Sequence, residues 1–175
     1  AGYMAGWAAR EGDSPVDHWL EAHLGDPAFA SLIARSIVGV GGSDRRAQLL
    51  IDLLREAVLH DEDLLGLGFW GWHEPVSLPL LDALILALAD TPLRLQGLGL
   101  LARRLERSCD GLSPENEEVI HTLLLAINDQ SLKAVAERDW VDVARRWRSH
   151  GDTRVVRTVL LALVQRYGHL GHAFD

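Results

Sequence analysis

The sequence predicts an all-α fold, and three observations carry that prediction. Helix-capping residues recur along the chain, apolar residues repeat with the helical period, and no stretch alternates apolar and polar residues for long enough to form a strand. The chain has 175 residues, of which 48% are hydrophobic and 24% are charged. This composition is typical of a globular protein and excludes a wholly disordered chain.

The predicted helix starts depend on pairs in which an oxygen-bearing side chain precedes a proline. Proline suits the first turn of a helix because its nitrogen has no hydrogen that would be left unpaired there. The pairs are Ser14-Pro15, Asp26-Pro27, Thr91-Pro92 and Ser113-Pro114. Ser43 and Asp152 are predicted caps without a proline, and Ser77 is predicted to begin a helix with Pro79 in its first turn.

Apolar stripes at helical spacing predict which helix faces are buried. The clearest stripes are Ala47, Leu50, Ile51, Leu54 and Val58, then Trp140, Val143, Ala144 and Trp147, and finally a run from Val155 to Tyr167. We expect one all-α domain over residues 14–168, preceded by an N-terminal arm (1–13) and followed by a C-terminal tail (169–175).

A short pattern ends several of the predicted helices: an aliphatic residue, any residue, then Asp. It occurs at Asp26, Asp61, Asp90 and Asp129, with a degenerate copy at Asp152. An Asp at such a turn can close one helix and cap the next. The helix that follows carries arginine in three cases, as Arg35, as Arg103 and Arg104, and as Arg157 and Arg166.

This pattern resembles HEAT-type helical repeats, in which an Asp-bearing turn joins two antiparallel helices and an arginine lies in the second. The resemblance implies antiparallel helical hairpins stacked as a short α-solenoid over residues 16–168. The aspartates are unevenly spaced, however, and a compact helical bundle would produce much the same sequence signal. Both arrangements stay open at the level of sequence.

Charge and cysteine content restrict the compartment and the partners. The formal net charge is −8, which disfavours binding to nucleic acid or to an anionic membrane surface. The single cysteine, Cys109, excludes a disulfide scaffold and fits a reducing cytosol. No secretory pattern begins the chain and no apolar run reaches the length of a membrane span, so we expect a cytoplasmic protein.

The first candidate partner-binding group lies in the glycine-rich stretch 61–77. It interleaves Gly66, Gly68 and Gly71 with large aromatic residues, a composition typical of loops that bind a partner. Phe69 and Trp70 are expected in the core because large aromatic residues are usually well buried. The predicted contact residues are therefore Trp72, His73 and Glu74.

The second candidate group is an arginine cluster between Arg138 and Arg157. Arg145, Arg146 and Arg148 fall off the Trp140–Trp147 stripe and should face solvent, where they would favour an acidic partner. The same cluster supports an alternative hypothesis, nucleic-acid binding, against which the acidity of the chain argues.

These observations predict a non-catalytic protein–protein interaction module, an adaptor or regulatory domain, that captures a peptide or protein. The alternative from another class is an all-α enzyme or small-ligand sensor with a pocket around Trp70, Trp72 and His73. No catalytic motif, metal site or cofactor is predicted, since Glu118 and His121 supply only half of a bundle di-iron site. A dimer or membership of a larger complex is left open.

Overall fold

The computed structural model describes residues 2–56, 59–68, 71–108, 119–120, 122–124, 134–150, 157 and 161. Its helices are α1 (Gly2–Glu11), α2 (Asp13–His23), α3 (Ala30–Val40), α4 (Asp44–Glu56), α5 (Leu78–Ala89), α6 (Arg94–Arg107) and α7 (Ala134–His150). Short 3₁₀ turns occupy Pro27–Phe29 and Asp61–Asp63, and residues 119–120 and 122–124 are also helical. No strand occurs in these ranges, so the all-α prediction is confirmed.

The predicted capping residues agree with the observed helix starts at several positions. The Asp26 carboxylate accepts a hydrogen bond from the Ala28 N–H ahead of the first 3₁₀ turn. The Ser43 hydroxyl accepts from the Arg46 N–H at the start of α4, and Ser77 precedes α5 as expected. Thr91 also caps a turn, accepting from the Leu93 N–H, but α6 begins only at Arg94.

The N-terminal residues differ from the sequence-based expectation. The segment predicted as an arm forms α1, which packs on α2 and α3 and buries Met4. The predicted cap at Ser14 is wrong, because α2 begins at Asp13 after Gly12, whose φ of 84° is a conformation that favours glycine. Ser113-Pro114 and Asp152 lie outside the described residues.

The helices pack mainly on elements near them along the chain. α1 contacts α2 and α3, α2 contacts α4, α3 contacts α4, α4 contacts α5, and α5 contacts α6, which contacts α7. α5 and α6 are antiparallel, since Asp82 bonds Arg104 near one end and Gly97 lies against Leu88 near the other. α6 and α7 run in the same direction, because Asp139 lies beside Arg103 and Arg146 beside Leu105.

Glycines inside α6 permit this close packing. A Cβ at Gly97 would lie 3.1 Å from the Leu88 Cβ, and one at Gly99 would lie 3.2 Å from the Asp139 Oδ2. The predicted Trp140–Trp147 stripe of α7 is wholly buried, and the Trp140 indole N–H donates to the Leu124 carbonyl over 3.2 Å. These contacts fix α6 between α5 and α7.

Ion pairs between arginine and aspartate join different elements of the fold. Arg46, 2% exposed, bonds Asp17 of α2 at 2.7 Å, and Arg104, 1% exposed, bonds Asp82 of α5 at 2.9 Å. Arg35 of α3 bonds Asp63 at 2.9 Å. Arg35 and Arg104, which follow the repeated Asp26 and Asp90 in the sequence, thus pair with Asp63 and Asp82.

The described residues between α4 and α5, 59–68 and 71–76 and here called the linking segment, are packed rather than loose. Leu59, Leu64, Leu67, Trp72 and Val76 are all buried. Its 3₁₀ turn contacts α3, and its Gly68 lies close to Gly99 of α6. The segment therefore lies between α3 and α6, and this position determines where the candidate site forms.

Candidate functional site at the end of α6

Trp72 lies in the core and not on the surface that the sequence predicts for it. Its side chain is 3% exposed, and its indole N–H donates to the Ile37 carbonyl of α3 over 3.2 Å. Gly42, just after α3, approaches so closely that a Cβ there would lie 1.7 Å from the Trp72 carbonyl oxygen. Trp72 therefore locks the linking segment to α3 and presents no surface to a partner.

His73 and Glu74, which follow Trp72, face different surroundings. The His73 ring is buried, and its Nδ1 has no hydrogen-bond partner among the described residues. Burial lowers the pKa of His73 below 6.5, and the nearby Arg103 and Arg107 lower it further, against the opposing effect of Glu74 and Glu106. Glu74 is exposed, as predicted for a residue that meets a partner.

Two arginines of α6 hold the linking segment by its backbone. The Nη1 of Arg107 donates to the His73 carbonyl at 2.7 Å and to the Val76 carbonyl at 2.6 Å. The Nε of Arg103 donates to the Gly68 carbonyl at 3.3 Å. Charged donors make stronger hydrogen bonds than neutral ones, so these contacts fix the segment against α6.

Arg146 of α7 contacts the same end of α6, and Arg145 precedes it in the chain. Arg145 is exposed and Arg146 is half-buried, and the Arg146 Nη1 lies 3.5 Å from the Leu105 carbonyl. One residue of each predicted group, His73 through its carbonyl and Arg146 through its side chain, therefore contacts the last turn of α6, although the two lie about seventy residues apart in the chain. We call this region the α6 end surface and define it as Glu74, Glu106, Arg107, Arg145 and Arg146.

A partly buried charge network adjoins this surface. Arg103 bonds Glu106 at 2.6 Å and Asp139 at 3.3 Å, which ties α6 to α7. Burial raises the pKa of Asp139 above 3.8, and although Arg103 opposes this, the like charge of Asp142 adds to it. The network positions the arginines of both helices and contains no nucleophile–base pair.

Sequence reasoning missed Arg103, Glu106 and Arg107 as parts of this site. The available signal was the spacing of the three residues over one turn of α6, with Arg103 and Glu106 three residues apart and thus able to pair. What the sequence alone did not indicate was that the backbone carbonyls of Gly68, His73 and Val76 would lie against that turn.

Several predicted residues lie outside what the structure describes. They are Trp70, the side chain of Arg148, and Cys109, Glu118, His121 and Arg154. Among the residues that are described, no group of three His, Cys, Asp or Glu side chains could hold a metal ion. Within the same ranges, none of the helices is both long and apolar enough to cross a membrane.

The chain was compared with models of protein families, with curated proteins and with solved structures. None of the three comparisons gives a match. The functional assignment therefore depends on the geometry of this molecule.

Proposed function

We propose that the chain is a non-catalytic protein-interaction module that captures an acidic peptide or protein at the α6 end surface. The observation that carries the proposal is that His73 and Arg146, one from each predicted group, both contact the last turn of α6. Three arginines and two glutamates lie in this region, and the ion pairs of Arg103 with Glu106 and Asp139 hold α6 against α7 beneath it. A rigid, charged and exposed surface of this kind selects partners by electrostatic complementarity.

The proposal includes a HEAT-like arrangement of the helices in two layers. Support comes from contacts that form one continuous series. α1 contacts α3, α3 contacts the linking segment, the segment contacts α6, and α6 contacts α7. The other layer consists of α2, α4 and α5, which also touch in order. In this arrangement the linking segment takes the place of one helix, and contacts between near neighbours are typical of solenoids.

The arginines are the specificity-determining part of the proposed surface. Arg145 is exposed and Arg107 presents its remaining nitrogens at the end of α6, so an acidic segment lying across α6 would meet both. Glu74 and Glu106 at the margin of the surface would repel carboxylates placed out of register. Such unfavourable charge contacts contribute to specificity as much as the favourable ones do.

A site-specific cross-linking experiment tests this function. A photo-reactive phenylalanine derivative is placed at Glu74 in one variant and at Gln48, which is exposed on α4, in the matched control. After irradiation in native extract, cross-linked proteins are identified and purified, and the affinity of each for the unmodified chain is measured. The proposal predicts a partner that cross-links at position 74 and not at position 48.

Charge reversal then tests the role of the arginines with the purified partner. Arg145→Glu with Arg146→Glu should weaken binding by about tenfold or more, because a carboxylate partner then meets repulsion. Arg55→Glu, at a position where the side chain is 69% exposed on α4, is the control and should change the affinity less than about twofold. Equal binding by the double variant and the wild type would contradict the proposal.

The purified wild-type chain also distinguishes the two alternative functions, nucleic-acid binding and small-ligand sensing. Binding of labelled duplex DNA that weakens steeply between about 50 and 200 mM salt would favour nucleic-acid recognition by the arginines. A thermal shift of several degrees with a small molecule would favour a ligand sensor. Either result, in the absence of a protein cross-linked at position 74, would overturn the proposed function.

A further inference from the structure

The linking segment carries a titratable group at the point where it meets α6. Residues 71–76 form no helix, and they are attached by the Trp72 N–H to α3 and by the His73 and Val76 carbonyls to Arg107. The His73 side chain lies inside this attachment with 9% of its surface exposed. Any change in the charge of the ring therefore acts directly on the contact between segment and helix.

The surroundings of His73 suit the neutral ring and not the protonated one. Nδ1 has no acceptor among the described residues, so the additional N–H of an imidazolium would be buried without a partner. The charged groups that act on the ring are Glu74 in the same segment and Arg103, Glu106 and Arg107 in α6. Glu106 already pairs with Arg103 at 2.6 Å, and Glu74 is exposed, so neither carboxylate compensates fully.

We propose that His73 is an acid-sensitive latch: when the ring takes up a proton, residues 71–76 detach from α6 while the helices stay folded. The imidazolium would lie beside two arginines in a poorly hydrated site, and it regains hydration only when the segment leaves. The detachment is local because α4, α5 and α6 keep their own packing, including the buried Asp82–Arg104 pair. Opening uncovers Trp72 and releases Arg107 from two carbonyls. The latch does not depend on the proposed function.

Hydrogen exchange of the full chain, followed by mass spectrometry, tests the latch. Exchange is measured at about pH 7.5 and about pH 5.5, and each rate is divided by the intrinsic rate at that pH so that only the opening equilibrium remains. If the open form titrates near the ordinary 6.5 and the closed form stays neutral, opening of residues 71–76 rises by up to about tenfold over this range. Amides of α4 should keep the same protection at both pH values.

Two non-titrating variants show whether His73 is the group responsible. In His73→Gln and His73→Phe, the exchange of residues 71–76 should no longer depend on pH, whereas His18→Gln, at an exposed position of α2, should behave as the wild type. The proposal is overturned if protection of residues 71–76 in the wild type is the same at both pH values. It is equally overturned if the pH dependence persists in a folded variant without His73.

Discussion

At the scale of single residues, Gly42 determines how closely the linking segment approaches α3. The position offers no room for a side chain, since a Cβ would lie 1.7 Å from the Trp72 carbonyl oxygen and 3.1 Å from a Val76 methyl group. The obstacle is backbone and cannot rotate away. We infer that glycine is required there for steric reasons, so that Trp72 can reach the Ile37 carbonyl.

The first prediction concerns this contact. Gly42→Ala should lower the free energy of unfolding by about 3 kcal/mol or more, because the segment or the end of α3 must move to admit the methyl group. Gly25→Ala is the matched control, since nothing lies within 4 Å of its added Cβ, and it should change stability by less than about 0.5 kcal/mol. Urea denaturation measures both, and equal effects of the two substitutions would show that the close approach is absent.

The second prediction concerns Asp63, whose carboxylate holds the other end of the linking segment. Burial alone would raise its pKa, but hydrogen bonds from the Ser31 hydroxyl, the His60 N–H and Arg35 outweigh burial and lower the pKa below 3.8. The stability that this group contributes is therefore fully present above pH 3.8 and is lost as the pH falls through the lower pKa of the folded state.

Asp63→Asn should consequently cost about 2 kcal/mol at neutral pH, since hydrogen bonds to a charged group are lost or weakened. The difference from the wild type should shrink once the pH is below about 3.8, where the unfolded chain already takes up the proton. Denaturation at several pH values measures this, with Asp61→Asn in the same turn, where the side chain is exposed, as the control. A cost that does not vary with pH would argue against a charged Asp63 as the anchor.

Single residues also mark the limit of what the sequence predicts. The exposure of Glu74 and Arg145 follows from charge and helical spacing, and both are exposed. Trp72 was predicted to contact a partner because glycines lie near it in the sequence, yet those glycines belong to a tightly packed segment. A local pattern does not indicate whether an aromatic residue faces outwards or packs against helices that are distant in the sequence. The Ile37 carbonyl that accepts the Trp72 hydrogen bond lies 35 positions away.

At the scale of elements, arginine–aspartate pairs determine which helices lie side by side. Arg104 and Asp82 join α6 to α5 through two hydrogen bonds, Nε to Oδ1 at 2.9 Å and Nη2 to Oδ2 at 3.3 Å. The Asp82 side chain is 18% exposed and that of Arg104 is 2% exposed. Removing one partner therefore leaves a poorly hydrated charge, which costs more than the pair itself contributes.

A double-mutant cycle tests this pair. Arg104→Leu and Asp82→Leu should each cost about 3 kcal/mol, and the double variant should cost at least about 2 kcal/mol less than the sum of the two. The control cycle uses Asp52 and Arg55, an exposed pair within α4, where the coupling should be below about 0.5 kcal/mol. Additive costs at positions 82 and 104 would show that the pair does not hold α5 against α6.

Elements differ in how well their sequences predict them. The starts of α4 and α5 were predicted because Ser43 and Ser77 carry local capping signals. α1 was missed because its alanines and glycines give only a weak apolar stripe, and its burial comes from contacts with α2 and α3. The linking segment was predicted to be irregular. The burial of its leucines was not predicted, because it depends on the positions of the neighbouring helices.

At the scale of the whole molecule, the proposed arrangement is a stacked order of elements with a charged surface at one point of the stack. Along the proposed first layer, α1, α3, the linking segment, α6 and α7 follow one another. The α6 end surface lies where the segment, α6 and α7 meet, because both neighbours of α6 touch its last turn. The all-α class was predictable from local periodicity. A solenoid and a closed bundle have the same local sequence pattern and differ only in their long-range contacts, so the sequence does not distinguish them.

The distance between α1 and α7 tests this order most directly. Spin labels are attached at Tyr3, which is 77% exposed, and at the exposed Arg145, with Cys109 replaced by serine, and their separation is measured by pulsed electron paramagnetic resonance. Four steps between neighbouring elements, at about 8–10 Å each, predict a separation of about 30–40 Å. A separation below about 20 Å, as expected when a closed bundle brings α1 against α7, would contradict the stacked arrangement.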